Sequence, residues 1–193
     1  YISISENFIL KKFWGSFSVN TKAKIGSNNG EKITNKQKII IEHKNRNITE
    51  TSLKYTNSKI EYIRAIKSTN FNFFSDKSKK TFFHKEFKVT KLSDRMGMRL
   101  EGQVLKNIVD SNIKSEGLVK GVIQVPSDGN PIIMLSDHGT IGGYPKIANV
   151  ISADFDKLVQ MIPGSIIKFK EVNLDEAEKL FQFYNLETNN FIS

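Results

Sequence analysis

The stretch from Ser115 to Lys146, SEGLVKGVIQVPSDGNPIIMLSDHGTIGGYPK, constrains the fold more than any other part of this chain. Two short apolar runs flank a turn rich in Pro and Gly, and a polar loop with three glycines follows. Residues 118–125 and 131–136 are brief β-branched runs bounded by turn residues, which predicts a pair of strands. Pro126, Gly129 and Pro131 bracket their connection, and Ser127 and Asp128 are suited to closing it through side-chain-to-backbone hydrogen bonds. The second strand delivers Asp137, His138 and Thr140 into Gly142-Gly143-Tyr144-Pro145. Polar and titratable groups on a loop held by rigid strands are a common site design.

Adjacent Gly142 and Gly143 permit backbone angles and close approaches that a Cβ would forbid. Pro145 restricts Tyr144 to extended conformations and so narrows the directions its ring can take. The same residues equally suit a tight turn at a barrel rim, with Asp137 and Thr140 bonding their own backbone. The glycine spacing matches neither the P-loop nor the dinucleotide fingerprint.

Elsewhere the chain alternates short strands with a few helices. Tyr1 to Ser5 reads as a strand, residues 15–37 as polar with a turn at Asn28-Asn29-Gly30, and Lys38 to Glu42 as an Ile-rich strand. Residues 43–58 read as a polar connection, and 59–66 as a further strand. Ser75 or Asp76 is placed to cap a helix whose apolar face carries Phe82 and Phe83, with Phe87 just beyond; that spacing favours core packing over base stacking. His84 falls on the surface, with no second His or acid at metal-ligand spacing. Lys88 to Leu92 leads as a strand into SDRMGMRLEG, residues 93–102. If that segment is extended, Arg95, Gly97 and Arg99 share a side and the two guanidiniums suit an anion; salt bridges to Asp94 and Glu101 are the alternative. Residues 147–151 form another strand, and Ser152 or Asp154 caps a helix ended by Pro163-Gly164. Residues 165–172 make a strand, Asn173 caps a last helix, and the tail from Asn185 is expected to fray. Many strands at close spacing with few helices predict a mainly β, barrel-like domain.

Among 193 residues there is no cysteine, which excludes disulfides and thiolate chemistry and fits a reducing cytoplasm. No apolar run approaches the roughly 20 residues that span a bilayer, and no basic n-region precedes the first apolar residues. The net charge of +9 gathers in the first half, yet only four of the 29 basic residues are Arg. Bidentate phosphate and base recognition favour Arg, and the chain also holds 18 Asn and 24 Ile residues. A coding bias toward Lys, Asn and Ile therefore explains the charge more simply than a nucleic-acid surface, and neither nucleic acid nor membrane is expected as a partner.

From about residue 59 to 181 the chain resembles the second part of the 5-oxoprolinase C-subunit family. That family is also named allophanate hydrolase subunit 2, or the KipA-like biotin-dependent carboxyltransferase family. The resemblance rests on SDRMGMRLEG (93–102), SEG (115–117), GVIQVPSDGNPI (121–132), DHGTIGGYPKIANVISADFDKL (137–158) and PGSIIKF (163–169). It is fainter before residue 59, resting on YISIS, Gly15-Ser16 and residues 23–26. Gly139 and Ile141 stand where the family usually has Gln or Pro and Thr, so a hydroxyl is missing at 141. The family's opening Thr-Thr, Gln-Asp and Gly-Arg pattern does not occur here.

The resemblance implies a cyclophilin-like β-barrel, incomplete and open-edged at its N-terminal side, with residues 1–58 a remnant of the preceding subdomain plus a connection, 59–184 the domain, and 185–193 a tail. It implies a KipI-like partner (the B subunit of such an enzyme), possibly an A subunit as well, and ATP-dependent opening of the 5-oxoproline ring to glutamate by the assembly. ATP would phosphorylate the amide oxygen before water attacks, a reaction that needs cations and donors around the developing charge. By position, Arg95 and Arg99 would supply charge, Gln124 with the 142–143 amides would supply donors, Thr140 would line the substrate, Asp137 or His138 would act as acid or base, and Tyr144 would wall the pocket. The alternatives are a KipA-like regulatory protein that sequesters a kinase inhibitor, a carboxyltransferase component, and an inactive truncated remnant. The carboxyltransferase reading ranks last, because no Met-Lys-Met biotin acceptor occurs in this chain. No metal site is expected.

Overall fold

A computed structural model describes residues 7–42 and 61–190. The chain divides into two compact units, Tyr1–Ser52 and Leu53–Ser193. The strand expected at Tyr1 to Ser5 and the connection at 43–58 lie outside the described residues.

The N-terminal unit holds an antiparallel ribbon of β1 (Val19–Asn20) and β2 (Ile25–Gly26). Asn20 closes its turn, its Oδ1 accepting from the Lys22 and Ala23 amides at 3.1 and 3.0 Å. A single 3-10 turn at Asn28–Gly30 follows, with Asn28 and Asn29 in the left-handed region that Asn tolerates. The strand expected over residues 38–42 is reduced to an isolated bridge between Phe8 and Ile41.

The second unit contains, in chain order, β3 (Ile63–Lys67), α1 (Asp76–His84), β4 (Glu86–Val89), β5 (Gly97–Gly102), β6 (Glu116–Gly117), β7 (Val122–Gln124), β8 (Ile132–Met134), β9 (Ile141–Gly142), β10 (Lys146–Val150), α2 (Ser152–Val159), β11 (Ile166–Glu171) and α3 (Leu174–Asn190). Seven strands close a barrel in the order β10-β3-β11-β4-β5-β8-β7. The mainly β barrel with a few helices is as expected, but the open edge is not: each barrel strand has a neighbour on both sides. Strands β3 and β11 run parallel, with Phe169 opposite Ile63, and every other barrel pair is antiparallel.

Period-2 alternation fills the barrel. β4 turns Phe87 and Val89 inward, β11 turns Ile167 and Phe169 inward, and β3 contributes Ile63 and Ala65. Helix α1 starts at the expected cap, the Ser75 side chain accepting from the Ser78 amide. It lays Phe82 flat on Phe169, ring centroids 4.5 Å apart, so the aromatic cluster is core.

β7 departs from alternation, since all three of its residues are buried. A strand buried on both faces is covered outside the barrel as well as inside. The cover is a second, two-stranded sheet of β6 and β9, with Glu116 opposite Gly142 and Gly117 opposite Ile141. The run expected as one strand over 118–125 is strand only at β7, and Gly121, at φ +90°, turns the chain just before it.

Two helix ends also differ from expectation. Helix α2 has Ile151 at its N-cap, with no side-chain cap. Helix α3 does start on the expected cap, Asn173 Oδ1 accepting from the Glu176 amide at 2.8 Å. It does not stop near Asn185. Tyr184 packs on the small cluster of Ile151, Ala153, Val172 and Ala177 and donates to Asp156, and Thr188 bonds the Tyr184 carbonyl, carrying the helix to Asn190. Among the described residues no helix is long and apolar enough to cross a membrane.

Candidate functional site

Register places one polar row across the outside of the barrel. Lys146 lies opposite Gln124, Gln124 opposite Ile132, and Ile132 opposite Arg99. Directly paired residues share a face, so the four side chains stand on one wall, while Ile123, Ile133 and Met98 point into the core. The β6–β9 flap crosses this wall on Leu118, Val122 and Met134, a small apolar cluster of its own.

Under the flap is a connected set of buried polar groups. Gln124 is 4% exposed, and its Nε2 donates to the Tyr144 carbonyl at 3.0 Å. A Cβ on Gly142 would lie 2.7 Å from that Nε2, so this glycine is required by close approach. Lys146 is 7% exposed; its amide donates to Asn70 Oδ1 at 3.2 Å and its ammonium pairs with Glu116. The hydrogen bond from Lys146 holds the Glu116 carboxyl below the usual carboxylate range, against a smaller desolvation effect, with Asn70 adding a second donor. Gly143 is held through its carbonyl, which accepts from the Ile113 amide at 2.9 Å.

The remaining sequence candidates fall at other points. Arg95 is not on the strand with Arg99. Asp94 Oδ1 accepts from the Met96 and Gly97 amides at 2.8 and 3.1 Å, and the chain turns there before β5 begins at Gly97. That turn removes the shared face expected of Arg95, Gly97 and Arg99. Arg95 instead grips Asp137 with two bonds, Nε to Oδ2 at 2.9 Å and Nη2 to Oδ1 at 3.2 Å, and the Asp137 amide donates to the Arg95 carbonyl at 3.0 Å. Glu101, the other alternative partner, pairs with Lys88. Asp137 lies past the end of β8 at Met134, in a turn where the His138 amide donates to the Leu135 carbonyl. The Arg95–Asp137 pair thus marks one end of the wall, and the Gln124–Ile132–Arg99 row marks the other.

Residues 138–141 lead back between these ends to Gly142. His138 Nδ1 donates to the Gly139 carbonyl at 2.6 Å, which leaves Nε2 as the ring's acceptor when neutral. Thr140 gives its carbonyl to the Leu118 amide and keeps its side chain exposed, and Tyr144 is 38% exposed at the flap edge. The structure therefore brings Gln124, Gly142 and Tyr144 together, joins Arg95 to Asp137, and sets Arg99 on the Gln124 row. Among the described residues no carboxylate lies within ion-pair distance of Arg99, and no group of three or more His, Asp or Glu side chains is placed to hold a metal ion.

Sequence reasoning passed over Asn70, Glu116 and Lys146. Glu116 and Lys146 carried a signal: each is a charged residue at an end of the 115–146 stretch, and Lys146 heads the otherwise uncharged strand KIANV. Asn70 carried none, since it acts from a turn 76 residues away from Lys146.

Comparison with known proteins gives this wall a context. The family described as carboxyltransferase domain, subdomain A and B, matches residues 1–171. The chain is 35% identical over 181 residues to the 5-oxoprolinase C subunit of Haemophilus influenzae, covering 93% of this chain and 58% of that protein. It is 33% identical over 186 residues to the 5-oxoprolinase C subunit of Escherichia coli, covering 94% and 59%. The chain thus spans less than two thirds of the length of these relatives. Among solved structures, the Kluyveromyces lactis urea carboxylase shares the fold at a TM-score of 0.78 and 23% identity, covering 98% of this chain and 19% of that one.

Proposed function

The chain belongs to the carboxyltransferase family of subdomains A and B, and from that premise we propose that it is one component of an ATP-dependent 5-oxoprolinase, acting with a KipI-like B subunit and an A subunit to open 5-oxoproline to glutamate. The observation that carries this reading is the identity to two 5-oxoprolinase C subunits over more than nine tenths of the chain. The outer-wall row supplies a place for it. Hydrolysis of a stable lactam is uphill, so the assembly's ATP activates the amide oxygen, and charge grows on that oxygen and on the transferred phosphoryl group. Arg99 offers a guanidinium that no carboxylate among the described residues neutralises, and a donor fixed near growing charge stabilises the transition state. Gln124 fixes the loop that carries the Gly142 and Gly143 amides. His138 Nε2 is the group free to take or give a proton, and Asp137 holds Arg95 at the far end of the wall. Tyr144, 38% exposed at the flap edge, borders the bound substrate.

The test is co-expression with homologues of the A and B subunits and assay of glutamate formed from 5-oxoproline and ATP. ATP-dependent release that falls at least tenfold in Arg99→Ala is expected. Release no higher than background from the intact assembly overturns the reading. Stable capture of the KipI-like partner with no turnover favours the regulatory alternative.

A further inference from the structure

An ion pair tucked under a flap on the outer wall of a barrel is not explained by stability. Burying a charged pair contributes little beyond what apolar residues of similar volume would give. The pair of Lys146 and Glu116 is nonetheless held with care: Asn70 Oδ1 accepts from the Lys146 amide at 3.2 Å, and Gly142 beside them is kept free of a side chain by Gln124 and Leu118. The two members differ in access. The Lys146 side chain is 9% exposed, while that of Glu116 is 41% exposed. The pair therefore offers a ligand one acceptor and one donor, the carboxylate largely open and the ammonium reached only along its narrow exposed edge.

We propose that Glu116 and Lys146 together read the edge of a cis amide, the carboxylate accepting its N–H and the ammonium donating to its C=O. The inference rests on the 5-oxoprolinase reading for its substrate and goes beyond it in assigning recognition to two residues. In a five-membered lactam the ring forces the amide cis, so N–H and C=O lie along one edge. An open-chain secondary amide is trans, and its N–H and C=O point in opposite directions. A single adjacent donor–acceptor pair can therefore satisfy both groups of a lactam and only one of an open-chain amide. An ammonium on the carbonyl oxygen also favours the charge that gathers there when the amide is activated. Lys146 has three donors and spends one on Glu116, which leaves it able to serve both. Selectivity follows because an N-methyl group takes away the N–H that the carboxylate accepts from and puts bulk in its place.

Titration of the full chain, followed by NMR, compares three ligands: 5-oxoproline, N-methyl-5-oxoproline, which lacks the N–H, and N-acetylglycine, an open-chain trans amide carrying a carboxylate. The wild-type chain is expected to bind 5-oxoproline at least tenfold more tightly than either of the others, as a hydrogen bond to a charged acceptor warrants. In Glu116→Ala the preference over the N-methyl compound should vanish, while Lys146→Met should weaken both lactams and leave their ratio in place. A purely structural role for the pair would lower all affinities together and leave the ratio unchanged in both variants. Thermal melts report whether each variant folds; should Glu116→Ala not fold, Glu116→Gln decides, with the preference expected to fall at least threefold. Equal affinity of the wild-type chain for the two lactams, a preference that survives loss of Glu116, or no binding of 5-oxoproline overturns the inference. A lactam preference without glutamate release by the assembly sinks the 5-oxoprolinase reading alone. Glutamate release without the preference sinks only this one.

Discussion

A Cβ on Gly142 would meet Gln124 Nε2 at 2.7 Å and Leu118 Cδ1 at 2.8 Å, whereas one on Gly139 would meet nothing closer than the Ile141 carbonyl at 3.4 Å. The two glycines lie three residues apart in the same loop and have different reasons to exist. Gly142→Ala is expected to cost about 1–3 kcal/mol, by pushing the flap off Gln124. Gly139→Ala should stay within about 0.5 kcal/mol of wild type. Urea melts of the full chain separate the two, and equal effects would mean that the flap does not press on the wall as described. Sequence alone marked the 142–143 pair as permissive backbone, but a permissive backbone has many uses. Which neighbour comes close depends on the pairing of Gly142 with Glu116, a contact across 26 residues that no local pattern encodes.

At the level of elements, local chemistry was legible and distant chemistry was not. Ser75 and Asn173 cap α1 and α3 as their positions suggest, because a cap needs only a side chain and an amide three residues on. Asp154 looks equally fit to cap α2 and does something else. Its carboxylate accepts from the Arg64 backbone amide at 2.8 Å, from Nε at 2.8 Å and from Nη2 at 2.5 Å, tying the helix to β3 across 90 residues. A buried carboxylate that can satisfy a guanidinium and a strand amide together gains more there than from one helix N–H. Burial pushes the Asp154 carboxyl up, but the hydrogen bonds and charge of Arg64 outweigh it and hold it below the usual range. A depressed folded value means stability that is present above the unfolded carboxylate range and lost as pH falls through the folded one. Asp154→Asn should therefore cost about 3 kcal/mol near neutral pH, leaving Arg64 partly buried and unmatched. The deficit should shrink in strong acid, where the wild-type carboxyl is protonated too. Denaturant melts across that pH range check the sign, and a deficit that grows in acid would contradict it.

For the molecule as a whole, the closed ring of seven strands changes what the second unit can be asked to do. The sequence, set beside its longer relatives, suggested a barrel short of strands with edges that invite aggregation or a complementing chain. Short β-branched runs announce strands, but they do not say which strand meets which. Closure here depends on the parallel pairing of β3 with β11, whose partners Ile63 and Phe169 are over a hundred residues apart. With both neighbours supplied to every strand from residues 63–171, and with Asn70, Glu116, Gln124 and Lys146 all inside that span, fold and wall are carried together. Residues 53–193 expressed alone are therefore expected to unfold in one cooperative transition, with the aromatic core of Phe82, Phe87 and Phe169 and the outer wall lost at the same denaturant concentration. Near-UV circular dichroism follows the first and backbone NMR signals of Gly142 and Lys146 the second. Separate midpoints would show that the flap melts on its own and that the polar row is fixed by something other than barrel closure. A broad, non-cooperative transition would show that the ring needs the first unit to close at all.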